Sequence, residues 1–182
     1  MSRTPRVFAM LAGWCAIAAC ARSGDDASTP AVARRAPLAL GDSAPQYSIA
    51  SLTGNALHVG GASDSVVLLN VWATWCESCK EEFAELERLR SAHGGAGLRV
   101  VGISVDQGSS EKVRRFVAAQ GSTFAIAHDV DARINTQYGV VGLPTTFLLG
   151  RDGRVRWTYT GNFRLDSAAL ENAINKTLGE PR

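Results

Sequence analysis

Two runs of apolar residues dominate the pattern along the chain. Val66 to Trp72 is apolar at every position except Asn70, and Leu98 to Val105 is nearly so. A continuous run of this length predicts a strand covered on both faces. Between them Phe83, Leu86 and Leu89 recur at helical spacing within an amphipathic segment from Glu81 to His93, with Glu81, Glu85, Arg88 and Arg90 outward; it ends near Gly94-Gly95. Ser109-Ser110-Glu111 starts a second helix with Val113, Phe116 and Val117 inward and a stop at Gly121. A short strand from Phe124 to Ala127 and a short helix from Asp131 to Tyr138 follow. Thr145 to Leu149 and Val155 to Tyr159 flank Gly150-Arg151-Asp152-Gly153, the signal of an antiparallel hairpin. Asp166 or Ser167 caps a last helix to Leu178, with Leu170 and Ile174 inward. Upstream, Tyr47, Ile49 and Leu52, then Leu57 and Val59 beyond Thr53-Gly54-Asn55, predict a small N-terminal hairpin. The order β-α-β-α-β-α-β-β-α implies a three-layer α/β domain with a mixed sheet and no internal repeat.

The first 19 residues read differently. Arg3 and Arg6 precede an apolar stretch from Val7 to Ala19, too short to span a bilayer comfortably and built like a signal peptide. Its end, Ile17-Ala18-Ala19-Cys20, resembles the bacterial lipobox, which implies cleavage and lipidation at Cys20. A generic secretory cleavage site and an uncleaved anchor are the other readings. Residues 20–40 then form the lipidated cysteine and a disordered tether of Ala, Ser, Pro, Asp and Arg, and 41–182 the folded domain. Removing the leader leaves 163 residues and takes away two arginines, so 17 basic and 17 acidic residues remain. No basic run interleaves with aromatics, which gives nucleic-acid binding no footing.

Of four cysteines, Cys15 and Cys20 lie in or at the end of the leader, which leaves Cys76 and Cys79 as the free thiols of the mature chain. They stand in Trp75-Cys76-Glu77-Ser78-Cys79-Lys80, directly after a predicted strand and at the mouth of a helix. That placement sets the first sulfur over the helix N-terminus, where free N–H groups and the macrodipole favour a thiolate, the nucleophilic form. Cys79 lies one turn along, within reach of a reversible disulfide. A haem attachment site needs His after the second cysteine, where Lys80 stands, and a structural zinc needs four ligands. A structural bridge closing so short a loop would stabilise little. His58, His93 and His128 are scattered and read as surface or partly buried side chains. No metal or cofactor is expected beyond the Cys76–Cys79 disulfide.

Val71-Trp72-Ala73-Thr74-Trp75-Cys76-Glu77-Ser78-Cys79-Lys80 and Gly142-Leu143-Pro144-Thr145-Thr146-Phe147-Leu148, together with Gly41-Asp42-Ser43-Ala44-Pro45 and Asp152-Gly153, carry a resemblance. From Gly41 to Leu178 the chain is similar to the thioredoxin-like thiol–disulfide oxidoreductases of the bacterial envelope, the TlpA/ResA type. The resemblance implies a thioredoxin fold in which Cys76 attacks a substrate disulfide and Cys79 resolves the mixed disulfide. It implies a cis peptide at Pro144, which leaves the backbone of Leu143 open to an extended substrate. Trp72, Phe83 and Trp75 take core roles, and Trp75 also lies on the docking surface. Two readings are open for Glu82: a proton acceptor for the resolving thiol, or a solvated acid beside Glu81. Asn70 stands where classical thioredoxins carry a buried aspartate. Ser78 and Ala84 depart from the usual prolines, and Glu77 should raise the pKa of Cys76, favouring a reductant over an oxidase. The resemblance further implies a periplasmic protein anchored to the cell membrane or outer membrane, disulfide-containing envelope proteins as partners, a membrane reductase of the DsbD or CcdA kind as electron donor, and apocytochrome c thiols as a substrate class. A redox-sensing scaffold and a peroxiredoxin-like peroxidase are the alternatives, the second disfavoured because it would want a Thr-x-x-Cys site and Ala73 rather than Thr stands three residues before Cys76.

Overall fold

A computed structural model describes residues 35–181. The leader, Cys15, the lipidation candidate Cys20 and most of the expected tether lie outside the described residues. Leu38 is buried, and its N–H donates to the Tyr138 carbonyl, so the last residues assigned to the tether pack on the domain.

The small hairpin pairs β1 (Tyr47–Ala50) with β2 (Ala56–Val59). The main sheet contains β3 (Val66–Trp72), β4 (Leu98–Ser104), β5 (Ala125–His128), β6 (Thr145–Leu149) and β7 (Val155–Thr160) in the order β5-β4-β3-β6-β7. β3, β4 and β5 are parallel, whereas β6 and β7 are antiparallel to their neighbours. This is the mixed sheet that the late hairpin predicted. β3 is central, and all seven of its residues are buried, which explains the unbroken apolar run.

Four helices join and cover the strands: α1 (Glu77–His93), α2 (Ser110–Gln120), α3 (Arg133–Tyr138) and α4 (Ser167–Leu178). α1 begins at Glu77 with Cys76 as its N-cap, as the cysteine motif at the mouth of a helix predicted. It also outlasts Gly94-Gly95 as a 3-10 turn and breaks at Gly97, whose φ of 103° suits a residue without Cβ. Ser109 caps α2 by accepting the Glu111 N–H. Asp166 precedes α4 but its side chain makes no capping bond; a 3-10 turn, Phe163–Asp166, leads into the helix instead. Arg88 and His93 of α1 both meet Glu171 of α4, tying those helices together.

Trp72 meets Phe83 edge-on at 4.7 Å and Phe116 at 5.1 Å, and Phe124 lies 5.5 Å from Phe83. This aromatic cluster locks the start of α1 onto the sheet. Gly102 makes room for it: a Cβ there would lie 2.7 Å from Ile126 Cδ1 and 3.1 Å from Trp72 Nε1. Among the described residues no helix is long and apolar enough to cross a membrane.

Candidate active site

The C-terminal end of β3 delivers the cysteine motif. Val105 N–H donates to the Trp72 carbonyl, and Cys76 N–H to that of Ala73, so the chain turns sharply before α1. Cys76 holds the extended N-cap conformation, φ −87° and ψ 109°, and its Sγ accepts the Cys79 N–H at 3.3 Å. The expected position of the first sulfur over the helix N-terminus is therefore the one observed. The two sulfurs form a disulfide. Cys76 retains 7% exposure while Cys79 is sealed at 0%. The Ser78 hydroxyl lies 3.5 Å from the Cys76 sulfur, a contact that proline at that position could not make. Glu77 is paired to Lys80 at 2.6 Å, so the charge expected to raise the Cys76 pKa is partly compensated by a neighbour on the same helix.

Trp75 is 66% exposed and has no core role. Trp72 and Phe83, by contrast, are fully buried. The Leu143–Pro144 peptide is cis. Val71 pairs with Thr145 across β3 and β6, so Pro144 leaves the sheet at the end from which Ala73 departs. Substrate-docking candidates from sequence positions 75, 143 and 144 thus come from two segments that emerge at one end of the sheet.

Glu82 is not a solvated acid. It is fully buried, and its neighbours show why. Its two oxygens accept the Asn70 side-chain amide at 2.9 Å and the Phe163 N–H at 2.7 Å. Asn70 also donates to the Thr146 hydroxyl on β6. Burial pushes the Glu82 pKa up; the Phe163 N–H and the Asn70 amide oppose it, the Glu81 charge adds to it, and the result is about 8. At i+3 from Cys79, Glu82 shares its helix face, with Cβ separation of about 5–6 Å expected.

Asp106 and Asp129 escaped the sequence reading. Asp106 is buried just beyond β4 and accepts from the Thr74 N–H, the Thr74 hydroxyl and the Ser104 hydroxyl. Asp129 is buried and accepts the Ile134 N–H, fixing the start of α3. An acidic residue directly after a buried strand was the available signal. The three histidines are peripheral: His58 is exposed, and His128 Nε2–H donates to the Asp106 carbonyl.

Residues 40–158 match the AhpC/TSA family profile, and with that span the assignment is decided. The chain belongs to the AhpC/TSA family. Thiol-disulfide oxidoreductase ResA of Bacillus subtilis is 31% identical over 121 residues, covering 66% of this chain and 67% of the relative. Thioredoxin-like protein YneN of the same organism is 33% identical over 123 residues, covering 66% of this chain and 71% of the relative. A crystal structure from Chlorobium tepidum, assigned as thiol:disulfide interchange protein DsbE, superposes with a TM-score of 0.72 at 31% identity. It covers 78% of this chain and 99% of that one. This AhpC/TSA member is a thiol–disulfide oxidoreductase of thioredoxin-like fold.

Proposed function

We propose that the protein is a lipid-anchored periplasmic reductant of protein disulfides, with Cys76 as attacking thiol and Cys79 as resolving thiol. The observation that carries the assignment of roles is the asymmetry of the pair: Cys76 is the N-cap and accepts a helix N–H, whereas Cys79 is sealed inside the first turn. The reduced Cys76 thiolate attacks a substrate disulfide, forming a mixed disulfide and releasing one substrate thiolate. Cys79 then loses its proton and attacks the Cys76 sulfur. The second substrate thiolate leaves, the substrate is reduced by two electrons, and the enzyme disulfide forms. Glu82 is the acceptor for the Cys79 proton. With its pKa raised to about 8, the ionised form that can accept this proton is roughly a tenth of the protein at pH 7 and grows as pH rises. Trp75 and Leu143 form the docking surface, with the buried Pro144 shaping the backbone there, a reading supported by the exposure of Trp75 and by the cis Leu143–Pro144 peptide at the same end of the sheet.

The leader and Cys20 support export and anchoring. A reductant in an oxidising envelope needs electrons from across the membrane, for which a donor of the DsbD or CcdA kind is suited. The ResA-like motif favours apocytochrome c thiols among the substrates. In the test, Cys79→Ser accumulates mixed disulfides that reducing agent releases, and Cys76→Ser does not. Mass spectrometry of the trapped partners names the pathway. Trapping by Cys76→Ser instead reverses the roles. A reduction potential near about −270 mV agrees with a reductant, and one near about −120 mV contradicts it.

A further inference from the structure

We infer that Asp106 is a positioning residue for Cys76, acting through Thr74 to hold the loop that presents the attacking sulfur. The inference rests on the reading of Cys76 as the attacking thiol and adds the group that sets its geometry.

Asp106 is 1% exposed. One carboxylate oxygen accepts the Thr74 N–H at 2.8 Å and the Ser104 hydroxyl at 2.8 Å; the other accepts the Thr74 hydroxyl. Lys112 of α2 places its ammonium 3.5 Å away. Burial pushes the Asp106 pKa up, but the Thr74 hydroxyl and N–H, the Ser104 hydroxyl and the Lys112 charge outweigh it and hold the carboxyl below its ordinary range. The group is therefore an ionised carboxylate, and hydrogen bonds to it are about twice as strong as neutral ones.

Two of these bonds grip one residue, two positions before Cys76. That matters because the N-cap is the part of the motif that the helix does not fix. Cys76 has extended backbone angles, and its N–H goes to Ala73 rather than into the helical ladder. The direction of the sulfur towards the Cys79 N–H is set by the loop from Ala73 to Trp75. Thr74 is that loop's buried polar residue, and its N–H and hydroxyl both end on Asp106. If the grip is lost, the loop shifts, the Cys76 thiolate of the reduced protein loses its helix N–H, and its pKa rises. Charge alone gives the opposite sign, since deleting a carboxylate near a thiol lowers the thiol pKa. Lys80 and Glu77, the charged groups beside Cys76 on α1, are unchanged by substitutions at Asp106 or Thr74.

The experiment uses the reduced full-length protein and follows the pH dependence of Cys76 alkylation by iodoacetamide. For Asp106→Asn the midpoint moves upward by about one pH unit, with alkylation about tenfold slower at neutral pH. Thr74→Val keeps the buried charge and removes only the hydroxyl grip; it shifts the midpoint in the same direction, and Thr74→Ser restores the wild-type curve. A downward shift in Asp106→Asn assigns the residue a purely electrostatic effect and overturns the proposal. So does an unchanged midpoint with a lowered melting temperature, or a Thr74→Ser variant that behaves like Thr74→Val. Because alkylation needs no protein substrate, a wild type that titrates as expected but reduces no disulfide counts against the proposed function alone.

Discussion

Glu82→Gln is the substitution that most directly separates chemistry from packing at this site. Glutamine has nearly the shape of the protonated acid but keeps one acceptor oxygen for either the Phe163 N–H or the Asn70 amide, so the loss of one hydrogen bond adds an offset that does not vary with pH. What it lacks is a titrating proton. The wild-type carboxyl has a pKa raised to about 8 from 4.5, so between those values the folded state holds a proton that the unfolded state has released. Stability from a raised pKa is complete below the unfolded value and is lost as pH rises through the folded one. Each pH unit in that window removes about 1.4 kcal/mol, which sums to roughly 5 kcal/mol across it. Urea unfolding of the oxidised protein from about pH 4 to about pH 9 reads the effect directly. Ionisable groups that do not face Glu82 are common to both proteins and cancel in the difference. The stability gap should open in favour of Glu82→Gln as pH rises, by several kcal/mol at the upper end. Parallel curves for the two proteins would show that Glu82 ionises in the fold at its ordinary pKa, and the proton-acceptor role would go with it.

Gly102→Ala should destabilise the domain by about 1–3 kcal/mol, because its Cβ meets Ile126 at 2.7 Å and Trp72 at 3.1 Å; a urea midpoint equal to wild type contradicts this packing account. Cys20→Ser should move the protein from the membrane fraction to the soluble periplasmic fraction with unchanged disulfide reduction. A wild-type protein already soluble and unacylated removes the lipid anchor from the proposal.

The sheet and helices were legible because the domain is built from full-length periodic signals. β3 and β4 read as uninterrupted apolar runs, and Phe83, Leu86 and Leu89 marked the buried face of α1. The cysteine pair was legible for a related reason: a strand ending at a Cys-x-x-Cys leaves the first sulfur little choice of position. Ambiguity lay where one-dimensional patterns are silent about partners. Glu82 beside Glu81 reads as surface charge, although its place between Cys79 and Leu86 puts it on the buried stripe. Asn70 was the matching clue, a lone polar residue in an apolar strand, since such a group needs a hydrogen-bond partner. The pairing that supplies Thr146 opposite Asn70 lies 76 residues away and becomes visible only in the register of β3 with β6. Asp106 was missed on the same ground, because its partner Thr74 lies 32 residues upstream across a crossover.

The fully buried state of Glu82 has a consequence for why an acid is there at all. Holding the Phe163 turn against α1 and satisfying the Asn70 amide takes two acceptor oxygens, one for each N–H, where glutamine would offer one oxygen and a donor nitrogen. With its pKa raised to about 8, the carboxyl is mostly protonated at neutral pH, and its ionised fraction is the form that can take a proton. The second property that separates it from glutamine is the capacity to exchange a proton near the pH at which thiols ionise. Cys79, sealed from water one turn earlier on the same helix, is the group with a proton to give and no solvent to take it. The two acceptor oxygens tie the carboxyl to its neighbours, and resolution of a mixed disulfide by a buried thiol gives the same group a use in its ionised form.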